Sequence, residues 1–181
     1  MNLSSEGLLI ADPLMPDVFF RKTVIWKCLV EDPEVTGYIV NRKLNCVIGD
    51  LFPTLVNGNI PVFEGGPVEN DRLFMIHRLP TIEGALALGN SLFFGGSFDQ
   101  IQWLINHQQL HADQIRFYKG YCGWTVTQLS EEINHCHWHQ APLVQAESIF
   151  NESFCSWKRC IETKCKSLGV FSKFTEVPGL N

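Results

Sequence analysis

The chain has 181 residues, 45% of them apolar, with 14 Lys and Arg against 19 Asp and Glu and a formal net charge of −5. That length and composition fit one folded unit with a core of its own and exclude a disordered chain. The acidic balance makes a general nucleic-acid binder a poor expectation, although charge can be local.

Gly7 to Asp12 reads as a short apolar strand, closed by the loop signals Asp12-Pro13 and Met15-Pro16-Asp17. Thr23 to Val30 is β-rich and mostly apolar, as a central strand would be, and Thr36 to Val40 returns as its hairpin partner with Asn41-Arg42 at the end. Cys46 to Leu55 is ambiguous: Val47, Ile48, Leu51 and Leu55 form a helical stripe that Gly49 and Pro53 interrupt. Ile60 to Glu64 is a strand running into the glycine loop Gly65-Gly66-Pro67. Leu73 to His77 is strand-like, and Ala85–Leu88 with Ser91–Phe94 reads as a hairpin turned at Gly89-Asn90.

Ser97 caps a helix with Gln100 at the capping-box position, and Phe98, Ile101, Leu104 and Ile105 form its buried stripe. His107 and His111 fall near its end, where a cation suits the dipole. Ile115 to Lys119 alternates like a half-buried strand. Gly120 and Gly123 then read as a tight turn around Tyr121-Cys122, and Thr125 with Gln128 as the capping box of a helix buried through Val126, Leu129 and Ile133. Trp138 to Gln145 reads as a further strand, and Phe150, Phe154, Trp157 and Ile161 lie along one face of a final helix over about Glu147 to Cys165. Strands dominate and helices are irregularly interspersed, so the expected class is α+β: a mixed sheet with helices against it.

A strand, a glycine turn and a helix N-terminus together can present bare N–H groups to an anion. Asn41, Arg42, Gly65, Gly66, Pro67, Gly120, Tyr121, Gly123 and Trp124 all fall at expected strand ends, with Arg72 close by in sequence. On a curled sheet they would share one rim able to hold a carboxylate or phosphate. The bland alternative is that the glycines make turns and Arg42 pairs with a surface carboxylate.

His135-Cys136-His137-Trp138-His139 has the residue types of a metal site but not the spacing of a structural zinc site, and no metal or other cofactor is expected. The cysteines, Cys28, Cys46, Cys122, Cys136, Cys155, Cys160 and Cys165, form no Cys-x-x-Cys pair. They are expected to be reduced thiols of a cytoplasmic protein. No apolar run has membrane-spanning length. Lys158, Arg159, Lys164, Lys166 and Lys173 against Glu162 make the C-terminal stretch locally basic, which would suit a phosphate backbone or simply a solvated helix face. No Gly-x-Ser-x-Gly, His-Glu-x-x-His or Asp-rich metal loop is present; His77, Glu131 and Glu132 are candidates for acid–base work.

Several fragments recur in a fixed order: Leu8-Leu9-Ile10-Ala11-Asp12-Pro13, Phe19-Phe20-Arg21-Lys22-Thr23-Val24, Gly37-Tyr38-Ile39-Val40-Asn41-Arg42, Phe63-Glu64-Gly65-Gly66-Pro67-Val68, Asp71-Arg72, His77, Gly120-Tyr121-Cys122-Gly123-Trp124 and Gln128-Leu129 with Glu131-Glu132-Ile133. In this order the chain resembles the AlgH/YqgE family over roughly residues 7–145. The resemblance implies one domain whose mixed sheet is partly wrapped into a barrel with helices packed outside. It also implies a bacterial, cytoplasmic protein with a role in transcriptional regulation, and it brings no catalytic residue or cofactor. Lys43 stands where the family often has proline, and the segment after about 146 is not typical of it. The expected partner is an unidentified protein or a small anionic ligand at the Arg42–Gly66–Trp124 rim. The alternatives are a direct nucleic-acid-binding regulator and an enzyme acting on an anionic small molecule.

Overall fold

The computed structural model describes residues 6–31, 33–141, 149–151 and 155–164. In chain order the elements are β1 (Gly7–Ala11), β2 (Val24–Glu31), β3 (Glu34–Ile39), β4 (Lys43–Val47), α1 (Ile48–Leu51), β5 (Pro61–Glu64), β6 (Val68–His77), β7 (Leu86–Gly89), β8 (Leu92–Phe94), α2 (Phe98–Asn106), β9 (Ile115–Thr125), α3 (Val126–Asn134), β10 (Trp138–Ala141) and α4 (Trp157–Lys164). They form one ten-stranded mixed sheet of order β10-β1-β2-β3-β9-β6-β8-β7, with β5 joining β9 to β4. The sheet curls into a half barrel with helices packed on it, as the α+β reading expects.

β9 is the hub. One edge pairs antiparallel with β6. The other pairs antiparallel with β3 through Glu34↔Thr125 to Gly37↔Cys122, and parallel with β5 through Val62↔Phe117 to Glu64↔Lys119. Neighbouring residues of a strand point to opposite faces. Phe117, Met75 and Val62 thereby enter one core with Ile48 of α1 and Ile101 and Ile105 of α2. Tyr118, Ile76 and Phe63 enter the other with Trp26, Trp124, Leu129 of α3 and Ile161 of α4.

Three expectations are corrected. Ile115–Thr125 is one continuous strand, with no turn at Gly120 to Gly123. Gly120 takes φ +69°, and the register to β6 shifts between Val68 and Leu73, so the glycine marks an irregularity within the ladder. The hairpin turn at Gly89 sits one residue later, because Asn90 and Ser91 are the central pair, with φ 51° and 60°. The C-terminal helix is the shorter Trp157–Lys164, preceded by a helical turn at Ile149-Phe150; Asn151, Cys155 and Ser156 are not helical, and Glu147, Ser148, Glu152, Ser153, Phe154 and Cys165 of the expected span lie outside the described residues. Cys46 to Leu55 resolves into β4, α1 and a loop.

The helix starts follow the reading in part. Thr125 accepts the Gln128 N–H at 3.1 Å and Ser97 that of Gln100 at 3.4 Å. Neither glutamine closes a box: Gln128 reaches Glu132 at 2.8 Å, and Gln100 accepts the Glu83 N–H at 2.9 Å.

Candidate functional site

The glycine rim is a backbone crossing. Gly65 and Gly66 pass over Gly120 to Cys122 so closely that a β-carbon on Gly66 would stand 2.2 Å from Tyr121 backbone atoms. The Gly65 N–H donates to the Lys119 carbonyl at 2.7 Å, and the Gly65 carbonyl accepts from the Ile39 N–H at 2.9 Å and the Cys122 thiol at 3.3 Å. The glycines are there because two segments of the chain touch. Gly123 lies in the β3–β9 ladder opposite Thr36, and Pro67 is exposed beside the crossing. Tyr121 meets Phe74 edge-on, ring centroids 5.6 Å apart.

Asn41 and Arg42 come to the same end of the sheet and fasten a loop. The Asn41 amide accepts the Val24 N–H and donates to the Lys22 carbonyl, both at 2.8 Å. Arg42 spans Glu64 at 2.6 Å and the Phe19 carbonyl at 2.7 Å, with its guanidinium 5.1 Å from the Phe19 ring centre. Arg72 pairs with Glu69 on its own strand at 2.6 Å and lies over Phe74. Trp124 is buried and gives its indole N–H to Glu132, and it faces Phe20 of the loop at 6.3 Å. The structure therefore places Asn41, Arg42 and Trp124 around residues 12–23, whereas Arg72 is engaged within β6.

That loop is built by short-range bonds. Asp12 Oδ1 accepts the Leu14 N–H at 2.7 Å and Asp17 Oδ1 the Phe19 N–H at 2.8 Å, both Asx turns. Met15 is buried and its carbonyl accepts Arg21 Nε at 3.1 Å. The same geometry turns Leu14 and Val18 outward, 76% and 73% exposed.

Beside the loop opens a cleft of about 440 Å³, lined by Asp12, Pro13, Leu14 and Pro16 on one wall and His135, Cys136 and His137 on the other. The walls are joined by the Asp12 N–H donating to the His137 carbonyl at 2.9 Å and by His139 Nε2 meeting Asp12 Oδ2 at 2.7 Å. His135 and His137 have ring centres 5.9 Å apart, and Cys136 between them takes φ 60° and is an exposed free thiol. Among the described residues, no group of three or more His, Cys, Asp or Glu side chains is placed to hold a metal ion. The sequence reading had both walls, but nothing in it joins residues this far apart in the chain.

The acid–base candidates are spent elsewhere. His77 is fully buried on β6: Nε2 meets the Gly95 carbonyl at 2.9 Å, which assigns it the proton, and Nδ1 accepts the Leu79 N–H at 3.3 Å. Burial pushes its pKa below the usual range. Glu132 accepts both the Trp138 indole at 2.6 Å and the Trp124 indole at 3.1 Å, and Glu131 is exposed. Burial raises the Cys122 thiol far above its ordinary value and pushes the Tyr118 phenol up to about 12, so neither ionises at neutral pH. Sequence reasoning did not single out Arg116, which is 2% exposed, donates to the Val40 carbonyl at 2.6 Å and stacks 4.1 Å from the Phe63 ring centre.

Residues 8–168 match the family described as AlgH-like. A UPF0301 protein of Chlorobium limicola is 31% identical over 99% of this chain and 97% of its own length. The solution structure of the AlgH protein from Pseudomonas aeruginosa superposes over the whole of both chains with a TM-score of 0.70 at 24% identity. The crystal structure of a Corynebacterium diphtheriae protein, DIP2367, gives 0.71 at 19% identity over 94% of this chain and 93% of that one. With the glycine crossing and the Arg42-fastened loop in one mixed half barrel, the chain belongs to the AlgH-like family.

Proposed function

We propose that this chain is a non-catalytic binding module acting in regulation, and that its partner is a protein inserting an apolar side chain into the cleft between residues 12–18 and the α3–β10 turn. The observation that carries the reading is Leu14, held 76% exposed at the wall of that cleft. An exposed leucine on a loop fixed by Asx turns, Met15 and Arg42 is a preorganised contact, and exposed apolar groups beside a cleft mark interaction sites. Two further facts support it. His77 and Glu132 are engaged by hydrogen bonds and, with Glu131, lie outside the cleft, and the net charge of −5 opposes a phosphate backbone. In this reading Arg42 is a positioning residue, and the glycine crossing is the platform on which the loop rests.

The test is an amide-resolved NMR titration of the labelled protein with small apolar fragments, with carboxylate and phosphate probes, and with duplex DNA at low salt. Apolar fragments are expected to shift Asp12, Leu14 and His135 to His137, and Leu14→Asp to abolish those shifts. Anionic probes gathering at Arg42 to Gly66 would move the site to the strand-end rim. DNA shifts centred on Lys158 and Arg159 would favour direct nucleic-acid binding, and no response at the cleft to any fragment would overturn the proposal.

A further inference from the structure

Arg116 and Tyr118 are alternate residues of β9 and so point to the same face of the sheet. Ile76 of β6 stands opposite Arg116, and Phe63 of β5 pairs with Tyr118. The rings of Phe63 and Tyr38 flank the Tyr118 ring, with centroids 6.0 and 4.9 Å from it.

A guanidinium stays charged inside a protein, and a buried charge is costly unless it is paired. Arg116 is buried, and among the described residues no carboxylate pairs with it. Its contacts are a neutral carbonyl, that of Val40, and the face of Phe63. Arg42, by contrast, already has Glu64 as its counter-ion. The Tyr118 hydroxyl is fully buried beside the guanidinium and makes no hydrogen bond. Burial keeps the phenol protonated, so the hydroxyl is a donor without an acceptor. Among the described residues it is the sealed side-chain polar atom with no partner. Arg116 Nε and Nη2 also donate to nothing but are not sealed, so they keep contact with solvent-accessible space.

From this uncompensated cation beside an unanswered hydroxyl we infer that Arg116 and Tyr118 form a binding site for a small monocarboxylate. Its oxygens accept from Arg116 Nε and Nη2, the side-on fork geometry of an arginine–carboxylate pair, and from the Tyr118 hydroxyl. One negative charge balances one guanidinium, whereas a phosphate would bring in charge that Arg116 does not balance. Phe63, Ile76 and Tyr38 supply apolar walls for the rest of the ligand. The site shares no residue with the cleft and does not depend on the reading of the cleft.

The test follows the arginine Nε–H signals of the isotope-labelled full chain as sodium acetate is added, against sodium chloride at equal ionic strength and pH. The Arg116 signal is expected to shift and saturate with acetate and to stay in place with chloride. Tyr118→Phe removes only the unpartnered hydroxyl, so it should melt no lower than wild type. The same change should weaken acetate binding about tenfold, because a hydrogen bond to a charged group is lost. An Arg116 signal that responds no more to acetate than to chloride overturns the inference. So does a Tyr118→Phe variant that binds acetate as tightly as wild type, or inorganic phosphate saturating Arg116 at lower concentration than acetate.

Discussion

The α-carbon of Gly65 faces the carbonyl of Gly120 so closely that a β-carbon there would stand 2.0 Å from the oxygen. No real contact is that short, and the obstacle is backbone on both sides. Gly65→Ala should therefore destabilise the protein by about 3 kcal/mol, near the upper end of the overpacking range. Gly89 has φ +92° but nothing within 4 Å of its missing β-carbon, so Gly89→Ala should cost only the left-handed penalty, about 1 kcal/mol. Urea unfolding of the two variants separates crowding from conformation.

Glu132 is the shared acceptor of two indoles, and its Oε2 takes both. Glu132→Ala would leave the N–H groups of two buried tryptophans unpaired and should cost about 2–4 kcal/mol in chemical denaturation. Glu132→Gln keeps an oxygen that can occupy the same place and should cost less than half as much. Tryptophan emission reports the change directly, because Trp124 and Trp138 stand edge to face at 6.0 Å.

The pairing of Glu132 with Trp124 and Trp138 also shows how far the sequence could be read. Val126, Leu129 and Ile133 gave away the helix, and Thr125 its start, since these are local signals. The carboxylate's role was hidden because its partners come from the strands on either side of the helix. The same limit produced the main misreading. Gly120 and Gly123 look like a turn because glycine answers equally to a turn and to a close crossing, and only the arrival of residues 65–66 from elsewhere in the chain distinguishes the two. Arg116 was missed for a related reason: an alternating strand pattern assigns a charged residue to solvent, and nothing local announces a carbonyl of Val40 and a face of Phe63 waiting for it.

His77 should make stability fall in acid. Its folded pKa lies below the ordinary value of 6.5, so the unfolded chain takes up a proton more readily than the folded one. Its contribution is thus fully present above pH 6.5 and erodes as pH drops from there towards the folded pKa. Protonation would also turn Nδ1 from an acceptor into a donor facing the Leu79 N–H. Melting temperatures of wild type and His77→Gln, followed downward from neutral pH, should show a shallower decline in the variant before the carboxylates begin to titrate.

Arg42→Ala should release residues 17–23 rather than unfold the sheet. Its fork holds Glu64 and the Phe19 carbonyl together, so the loss is expected to be about 1 kcal/mol overall, with faster amide exchange concentrated at Phe19 to Lys22. Arg42→Lys should not restore protection, because an ammonium cannot reproduce the planar two-armed contact. Exchange mass spectrometry resolves this segment from the rest.

The parallel pairing of β5 with β9 bears on the order in which the molecule assembles. The β2–β3 and β7–β8 hairpins close over short stretches of chain and can form as soon as they are made. The crossing of Gly65-Gly66 over Gly120 to Cys122 needs two segments that all of β6, β7, β8 and α2 separate, and loop closure must precede any reward. That junction therefore forms later than the hairpins, and changes confined to it should accelerate unfolding while leaving the refolding rate nearly untouched.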